Sequence, residues 1–284
     1  MTARLLDGRG VASDLRIELA DRVARLDGDS SGPPRLAILR SGSSQASALY
    51  ASSLERAARR VGVEPLALTD DSGPLIETID RLNGDPRVAG IVVAQPLSDP
   101  ELGRRLVERI DPAKDVDGAT PANAGWLARG EPAFVPATAL AVIALLEAHG
   151  ISVAGRRAVI IGRSAVVGRP VASLLVARDA TVVICHRATV DLAGEAQRAE
   201  LLVVAAGSPG LVGPEMVNSS TIVIDCGINA TPRGVVGDVD APSVAPLVTA
   251  ISPVPGGVGP VTPMMVLRQT VEAAERAASA NRPG

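Results

Sequence analysis

The sequence contains very few aromatic residues, with one Trp, one Tyr and one Phe in 284 residues. Proteins that bind single-stranded nucleic acid commonly stack bases on such rings. The net charge of −3 also provides no basic footprint for nucleic acid or an anionic membrane surface. We therefore predict no nucleic-acid partner and no membrane partner. With 46% hydrophobic residues, the core must be built from Val, Leu, Ile and Ala.

Cysteine and histidine are also scarce, with two of each. Two cysteines do not make a disulfide framework, so Cys185 and Cys226 are predicted to be buried free thiols in a reducing compartment. The same scarcity predicts no metal site. The N-terminus lacks the apolar segment of a signal peptide, and no apolar run reaches the length of a transmembrane helix. The predicted location is the cytoplasm.

Regular alternation of strands and helices dominates the second half of the chain. Short apolar runs separated by helical stretches lie at 158–162, 181–185, 201–205 and 221–225. This alternation predicts an α/β fold with a doubly wound, parallel sheet. In the first half, strands are predicted at 36–39, 66–69 and 88–93, and helices at 11–26 and 45–60. A final helix at 264–280 is predicted to return to that first half.

A glycine turn follows the first of these later strands. Gly162 ends the strand, Ser164 lies in the loop, and Gly168 precedes a helical run, giving the pattern G-x-S-x-x-x-G. Glycines allow close approach of a ligand, and the amides at a helix start favour an anion. The pattern predicts a nucleotide phosphate site. An ordinary glycine turn in an α/β domain is the alternative.

The strand at 181–185 ends in a basic pair, His186 and Arg187. In dinucleotide-binding folds an acidic residue at this position favours NAD. Arg187, together with Arg163 in the turn, suits the additional 2′-phosphate of NADP, because Arg forms bidentate bonds with phosphate. NADP is the predicted cofactor. A solvated arginine at a strand end is the alternative for Arg187.

Several segments resemble one family in order and spacing: LLDGRGVA, KDVDGATPANAG, GRSAVVGRP, GINATPRGVVGDVD and SPVPGGVGPVTPMM. The chain resembles the bifunctional methylenetetrahydrofolate dehydrogenase/cyclohydrolase (FolD) family over its full length. The resemblance implies a folate-cleft domain at 1–137, completed by about 260–284, and a Rossmann-like NADP-binding domain at 138–259. It also implies a homodimer, oxidation of 5,10-methylenetetrahydrofolate by NADP⁺, and hydrolysis of the 5,10-methenyl product to 10-formyltetrahydrofolate.

The resemblance also implies roles for individual residues. The cofactor-binding residues are Gly162, Arg163, Ser164, Gly168, Arg187 and Ile228. The catalytic residues are Tyr50, Gln95 and Asp117, and the carboxylate of Asp117 is expected to accept hydrogen bonds from the pterin ring. The substrate-binding residues are Tyr50, Asp117, Gly256, Gly257 and Pro260.

One catalytic position departs from the family pattern. The family has Tyr-x-x-x-Lys on a helix, whereas this chain has Tyr50 followed four residues later by Leu54. Arg56 would point about 200° away from Leu54 on a helix, and arginine does not exchange its proton. The only lysine, Lys114, belongs to the KDVDG segment.

Two further departures lie nearby. In GIVVAQPL the family glutamine aligns with Ala94, and Gln95 takes the next position. Neighbouring side chains on a strand face opposite sides, so Gln95 replaces that glutamine only if the strand bulges or ends there. The chain also reads PAT at 136–138, where the family often has PCT followed by proline.

These departures affect the two reactions differently. Hydride transfer depends mostly on positioning, whereas water addition and ring opening need proton transfers. We therefore expect a dehydrogenase with weak or absent cyclohydrolase activity. Two alternatives stay open: an enzyme on the same scaffold with another substrate, and a non-catalytic folate- or NADP-binding paralogue.

Overall fold

The computed structural model describes residues 3–27, 32–42, 45–69, 73–95, 97, 99–232 and 234–280. The chain divides into two compact units. The first, called the six-stranded unit, comprises Met1–Ala12 and Thr138–Thr262. The second, called the three-stranded unit, comprises Ser13–Ala137 and Pro263–Gly284.

Helices and strands alternate along most of the chain. In the first half they are β1 (Arg4–Leu5), α1 (Gly8–Asp27), β2 (Arg35–Leu39), α2 (Gln45–Val61), β3 (Glu64–Leu68), α3 (Leu75–Gly84), β4 (Val88–Val93), α4 (Pro100–Arg109) and α5 (Pro121–Ala128). In the second half they are α6 (Ala137–Ala148), β5 (Arg157–Ile161), α7 (Gly168–Val176), β6 (Thr181–Cys185), α8 (Leu192–Gln197), β7 (Leu201–Val204), β8 (Ile222–Asp225), β9 (Asn229–Thr231), β10 (Gly234–Val236), α9 (Ala241–Val244), β11 (Ala250–Ile251) and α10 (Val258–Ala280). No helix within the described ranges is both long and apolar enough to cross a membrane.

The six-stranded unit contains a parallel sheet in the order β1-β11-β8-β7-β5-β6. Consecutive residues of its central strands are buried, since Ala158, Val159 and Ile160 all have no exposed surface. A sheet covered on both faces requires such continuous apolar runs. The predicted α/β fold with a parallel sheet is confirmed, and the predicted strands at 158–162, 181–185, 201–205 and 221–225 are all present.

The N-terminal residues lie in the six-stranded unit, whereas the sequence analysis assigned 1–137 to the other domain. Arg4 and Leu5 pair with Ala250 and Ile251, so β1 forms the edge of the six-stranded sheet. These residues join the six-stranded unit because β1 pairs with β11. Each strand has only two residues, and the two lie nearly at opposite ends of the sequence. Neither strand is long enough to show a periodic pattern.

The three-stranded unit is built on a parallel sheet in the order β3-β2-β4. On one face, residues of β2 and β4 pack against α3 and α4 in a single apolar cluster that includes Leu39, Ile79, Ile91 and Leu106. The other face is also buried, with Leu36 and Val92 fully covered. Both faces of this sheet are therefore covered. The loops that follow β2 and β4 begin after Leu39 and Val93, at the carboxyl ends of these strands.

Helix α10 belongs to the three-stranded unit from Pro263 onward, as the predicted return of the C-terminal helix requires. The guanidinium of Arg22 on α1 donates two hydrogen bonds to Glu275 on α10, at 3.0 and 2.7 Å. The helix starts at Val258 rather than at the predicted 264, and it contains Pro263. A proline in the second turn removes one backbone bond without ending the helix.

Candidate active site

The glycine turn after β5 is closely packed against the loop after β7. Gly162 has a φ of +124°, and a Cβ at this position would lie 2.1 Å from the carbonyl oxygen of Ala205. A Cβ on Gly168 would lie 2.1 Å from the carbonyl oxygen of Gly162. Neither position has room for a side chain. The backbone of this turn is therefore fixed by its neighbours before any ligand binds.

At the start of α7, only the backbone amide of Gly168 has no hydrogen-bond partner among the described residues. The hydroxyl of Ser164 accepts a hydrogen bond from the amide of Val167 at 3.1 Å, and its carbonyl accepts one from Arg169 at 3.1 Å. No side chain caps the helix N-terminus. Pro170 has no amide hydrogen, so the Gly168 amide and the helix dipole are what favours an anion at this end.

Two arginines lie at the carboxyl ends of neighbouring strands. Arg163 follows β5 and Arg187 follows β6, and these two strands pair along their full lengths. Both side chains are exposed. Neither forms an ion pair with any residue in the described ranges. Their charges are thus available to a phosphate that binds at this edge.

Ile228 is another residue that the resemblance assigned to the cofactor. Its side chain is 71% exposed, which is unusual for a large apolar group. The backbone before it is held because the amide of Gly227 donates to the carboxylate of Asp225 at 2.8 Å. An exposed apolar side chain that follows a held backbone segment, after the carboxyl end of β8, is suited to contact a planar ligand.

In the three-stranded unit, Asp117 lies close enough to Tyr50 to influence the ionisation of its hydroxyl. Burial raises the pKa of Asp117 to about 7, and the charge of Asp115 adds to this effect, whereas a hydrogen bond from the amide of Ala137 opposes it. Burial and the charge of Asp117 raise the pKa of Tyr50 well above its usual value. The Tyr50 hydroxyl therefore keeps its proton at neutral pH, beside a carboxyl group that is close to half ionised.

A buried carboxylate shapes the loop that carries Asp117. Asp115 accepts hydrogen bonds from the amides of Ala119 and Thr120, at 3.0 and 2.7 Å, and from the side chain of Asn123 at 2.9 Å. It has no exposed surface. These three bonds turn the chain directly after Asp117 and lead into α5, so the carboxylate stabilises the loop conformation.

Gln269 on α10 holds the loop from the other side. Its side-chain amide donates to the carbonyls of Val116 and Val135, at 2.7 and 2.9 Å, and its oxygen accepts from the amide of Val135 at 2.8 Å. The glutamine thereby joins the residue before Asp117 to the segment leading to Ala137. The sequence analysis missed this residue, which stands between Arg268 and Thr270 and carries no signal that sets it apart from its polar neighbours.

Leu54 lies one turn after Tyr50 on α2 and is completely buried. The only lysine of the chain is committed elsewhere. The ammonium group of Lys114 donates to the carbonyls of Leu82, Asn83 and Asp85, at 2.9, 2.7 and 2.7 Å, and so satisfies the C-terminal end of α3. Lys114 is a helix cap, and no amine occupies position 54.

Strand β4 ends at Val93. The next residue, Ala94, aligns with the family glutamine, and Gln95 follows it. Ala94 is fully buried, and its amide donates to the carbonyl of Leu39 at 2.7 Å. Gln95 is exposed, its oxygen accepts from the amide of Leu97 at 3.4 Å, and its amide lies over Gly103 of α4. Gln95 can replace the family glutamine only if the strand bulges or ends there, and β4 does end before it. The Gln95 side chain packs toward α4, however, and its catalytic role stays a prediction.

The loop with Gly256 and Gly257 lies in the six-stranded unit and packs against the start of α1. The amide of Gly8 donates to the carbonyl of Gly256 at 2.8 Å, and a Cβ on Gly8 would lie 1.8 Å from the carbonyl oxygen of Gly257. Pro260 follows in the first turn of α10. The loop is rigid and tightly packed, and its contact with substrate stays a prediction.

Family models cover most of this chain. Residues 6–117 match the catalytic domain of tetrahydrofolate dehydrogenase/cyclohydrolase, and residues 136–278 match its NAD(P)-binding domain. The chain belongs to this family. The match of an NAD(P)-binding domain confirms the predicted class of cofactor, and the glycine turn and both arginines lie within that domain.

Curated relatives of the family align along nearly the whole chain. A bifunctional protein FolD of Parafrankia sp. is 48% identical over 273 residues, which is 95% of this chain and 99% of the relative. A bifunctional protein FolD of Moorella thermoacetica is 42% identical over 281 residues, which is 97% of this chain and 100% of the relative.

Solved structures of the family agree with the fold. The bifunctional FolD enzyme of Campylobacter jejuni superposes with a TM-score of 0.92 at 38% identity, covering 96% of this chain and 99% of that one. The Trypanosoma brucei methylenetetrahydrofolate dehydrogenase-cyclohydrolase, solved with NADP and an inhibitor, has a TM-score of 0.91 at 34% identity, covering 99% and 100%.

Proposed function

We propose that this family member oxidises 5,10-methylenetetrahydrofolate to 5,10-methenyltetrahydrofolate with NADP⁺, and that its cyclohydrolase activity is weak or lost. Membership of the family and the intact glycine turn support the dehydrogenase. The observation that carries the second part is Leu54, a buried, non-titratable side chain one turn after Tyr50.

The residues of the six-stranded unit fit a dinucleotide. Gly162 and Gly168 allow the close packing that fixes the turn, and the amide of Gly168 at the start of α7, without a partner in the described part of the chain, is free to donate to a phosphate. Arg163 and Arg187 carry exposed charges that suit a 2′-phosphate. NADP⁺, when bound, supplies the hydride acceptor. The arginines support NADP over NAD because neither has an ion-pair partner among the described residues that would neutralise it.

On the folate side, Tyr50 and Asp117 supply complementary hydrogen-bonding groups. The ionised carboxylate of Asp117 accepts bonds from the N–H groups of a pterin ring, whereas the Tyr50 hydroxyl stays protonated and donates. Both groups are half-buried, so such bonds are stronger than in water. These two residues bind and orient substrate, and that is sufficient support for hydride transfer.

Water addition makes a different demand on the same residues. Adding water to the methenyl carbon and opening the ring requires a group that gives and takes protons near neutral pH. Asp117 has a pKa of about 7, but its carboxylate is assigned to the N–H groups of the pterin ring and is therefore not available to the methenyl carbon. Tyr50 holds its proton too tightly, because its pKa is raised well above the usual value. Lys114 is bound to three carbonyls. The position that the family fills with lysine contains only the hydrocarbon side chain of Leu54.

A paired assay on the purified protein tests the proposal. One arm follows formation of NADPH from 5,10-methylenetetrahydrofolate, with NAD⁺ in a parallel reaction. The other follows decay of 5,10-methenyltetrahydrofolate, with a bifunctional relative assayed alongside. We expect NADP⁺-dependent oxidation and a hydrolysis rate about 10²–10⁴-fold below that of the relative.

Hydrolysis at the relative's rate would contradict the part of the proposal that depends on Leu54. Binding of NADP without turnover would instead indicate the non-catalytic paralogue. Absence of both activities would indicate a different substrate for this scaffold. Equal use of NAD⁺ and NADP⁺ would contradict the role given to Arg187.

The ionisation of Asp117 predicts how folate binding depends on pH. If only the carboxylate accepts the pterin N–H groups, kcat/KM for the folate substrate rises about tenfold between pH 6 and pH 8, since the pKa is about 7. In the Asp117→Asn variant we expect a low kcat/KM that no longer follows this titration. Steady-state rates at several pH values measure both.

Protein stability provides an independent check of the same pKa. Asp117 binds its proton more tightly in the folded protein, so its contribution to stability is full below pH 4 and is lost as the pH rises through 7. The Asp117→Asn variant should therefore gain in Tm relative to the wild type between pH 5 and pH 8. A constant difference across that range would show that Asp117 is ionised throughout.

We also propose a homodimer, which the family resemblance supports, and its test is the mass measured by sedimentation. The cytoplasmic location expected from the sequence stays a prediction.

A further inference from the structure

The carboxylate of Asp238, which follows β10, is buried at the carboxyl end of the six-stranded sheet and fully engaged. One oxygen accepts hydrogen bonds from the amides of Ala206 and Gly207, at 2.7 and 2.8 Å. The other accepts from the amide of Ser208 at 2.9 Å and from the side chain of Asn229 at 2.8 Å. Asp238 has no exposed surface.

The segment held by Asp238 is the one that contacts the glycine turn. Residues 206–208 directly follow Ala205, whose amide donates to the carbonyl of Ile161 at 2.8 Å. The carbonyl oxygen of Ala205 lies so close to Gly162 that a Cβ there would be 2.1 Å away. The position of the loop after β7 therefore determines the position of the glycine turn.

The other side of Asp238 contacts the segment that presents Ile228. A Cβ on Gly227 would lie 2.4 Å from the amide nitrogen of Asp238 and 2.5 Å from its carboxylate. Asn229 donates to the same carboxylate. Gly227 thus packs directly against Asp238 and Asn229 is hydrogen-bonded to it, while the side chain of Ile228 between them stays exposed.

We propose that Asp238 is a positioning residue for the nicotinamide cofactor. It fixes two surfaces relative to each other: the loop that supports the Gly162 turn, and the exposed Ile228. This inference rests on the proposed NADP-dependent function, because it concerns the site that holds the cofactor. It assigns Asp238 no contact with the reacting atoms.

The test variant is Asp238→Asn, which keeps the shape but places an NH₂ group against backbone donors. We measure the Kd of NADP⁺ and NADPH by calorimetry, with KM values for both substrates and Tm. We expect the Kd of both nucleotides to rise about tenfold or more, because two charge-assisted bonds are lost, while the KM of the folate substrate changes less than about twofold. Asn229→Ala removes one of the four donors to this carboxylate, together with a long bond to the carbonyl of Val236 at 3.4 Å, and should give a smaller rise in the same direction.

Two control variants separate positioning from general stability. Thr221→Val removes a buried hydrogen bond to the carbonyl of Ala199, at the amino end of the same sheet. Asp240→Asn makes the same chemical change at an exposed position two residues away. We expect both to bind NADP⁺ as the wild type does, even where Thr221→Val lowers Tm.

Three results would overturn the inference. The first is wild-type nucleotide affinity in Asp238→Asn. The second is an equal loss of affinity in Asp238→Asn and Thr221→Val at equal loss of Tm, which would leave Asp238 with a purely structural role. The third is a wild-type protein that binds no NADP⁺, and this result alone would also contradict the proposed function.

Discussion

Replacing Leu54 with lysine is expected to raise the rate of 5,10-methenyltetrahydrofolate hydrolysis by about 10²–10⁴-fold, the usual contribution of general acid–base catalysis. Positions 50 and 54 are neighbours on one face of α2, so the new amine would lie beside the Tyr50 side chain. Leu54 is fully buried. An amine placed there loses hydration, and its pKa falls toward neutrality, where it can both give and take a proton. The decay of the methenyl substrate above its spontaneous rate measures the gain.

Two variants make this prediction specific. Ser52→Lys adds the same charge to an exposed position of the same helix, about 200° away from position 54, and should not raise hydrolysis. Leu54→Met keeps the volume without a titratable group and should behave as the wild type does. Because a buried charge is costly, the Tm of Leu54→Lys is measured too. A folded Leu54→Lys variant without any gain would mean that the missing lysine does not explain weak hydrolysis.

The sequence was most informative where the structure depends on local patterns. The predicted strands at 181–185 and 88–93 correspond residue for residue to β6 and β4, because each is a short, predominantly apolar run that follows a polar turn. Strands β1 and β11 were not predicted, since each has two residues and exists only because the other is present. Helix α5 was not predicted, although Thr120 caps its start.

The site shows the same division between local and distant signals. The glycine turn could be predicted because its strand, glycines and helix are contiguous in the sequence. Gln269 and Asp238 could not, because their partners are backbone groups that only the folded chain brings near them; Gln269 reaches Val135, which is 134 residues away. Backbone groups carry no sequence signature. Polar residues that hold loops in place by binding backbone groups are therefore the hardest to predict from a single sequence.

Replacing Gly162 with alanine is expected to abolish NADP-dependent oxidation and to lower the free energy of unfolding by about 3 kcal/mol or more. Two costs combine at this position. The φ of +124° is in a region that residues with a side chain rarely adopt, and the new Cβ would lie 2.1 Å from the carbonyl oxygen of Ala205. That oxygen belongs to backbone held by hydrogen bonds on both sides, at Ala205 and at Ala206, so it has little freedom to move. Chemical denaturation and the Kd of NADP⁺ measure the two effects.

Gly155→Ala is the matched control, because it separates the cost of the backbone angle from the cost of the contact. Gly155 also has a positive φ, +75°, but nothing lies within 4 Å of a Cβ built there. We expect this variant to lose about 1 kcal/mol from the left-handed conformation alone and to bind NADP⁺ normally. If Gly162→Ala were no more damaging than Gly155→Ala, the contact with Ala205 would not be rigid. The coupling from Asp238 through this loop to the glycine turn would then be wrong as well, since it depends on the same contact.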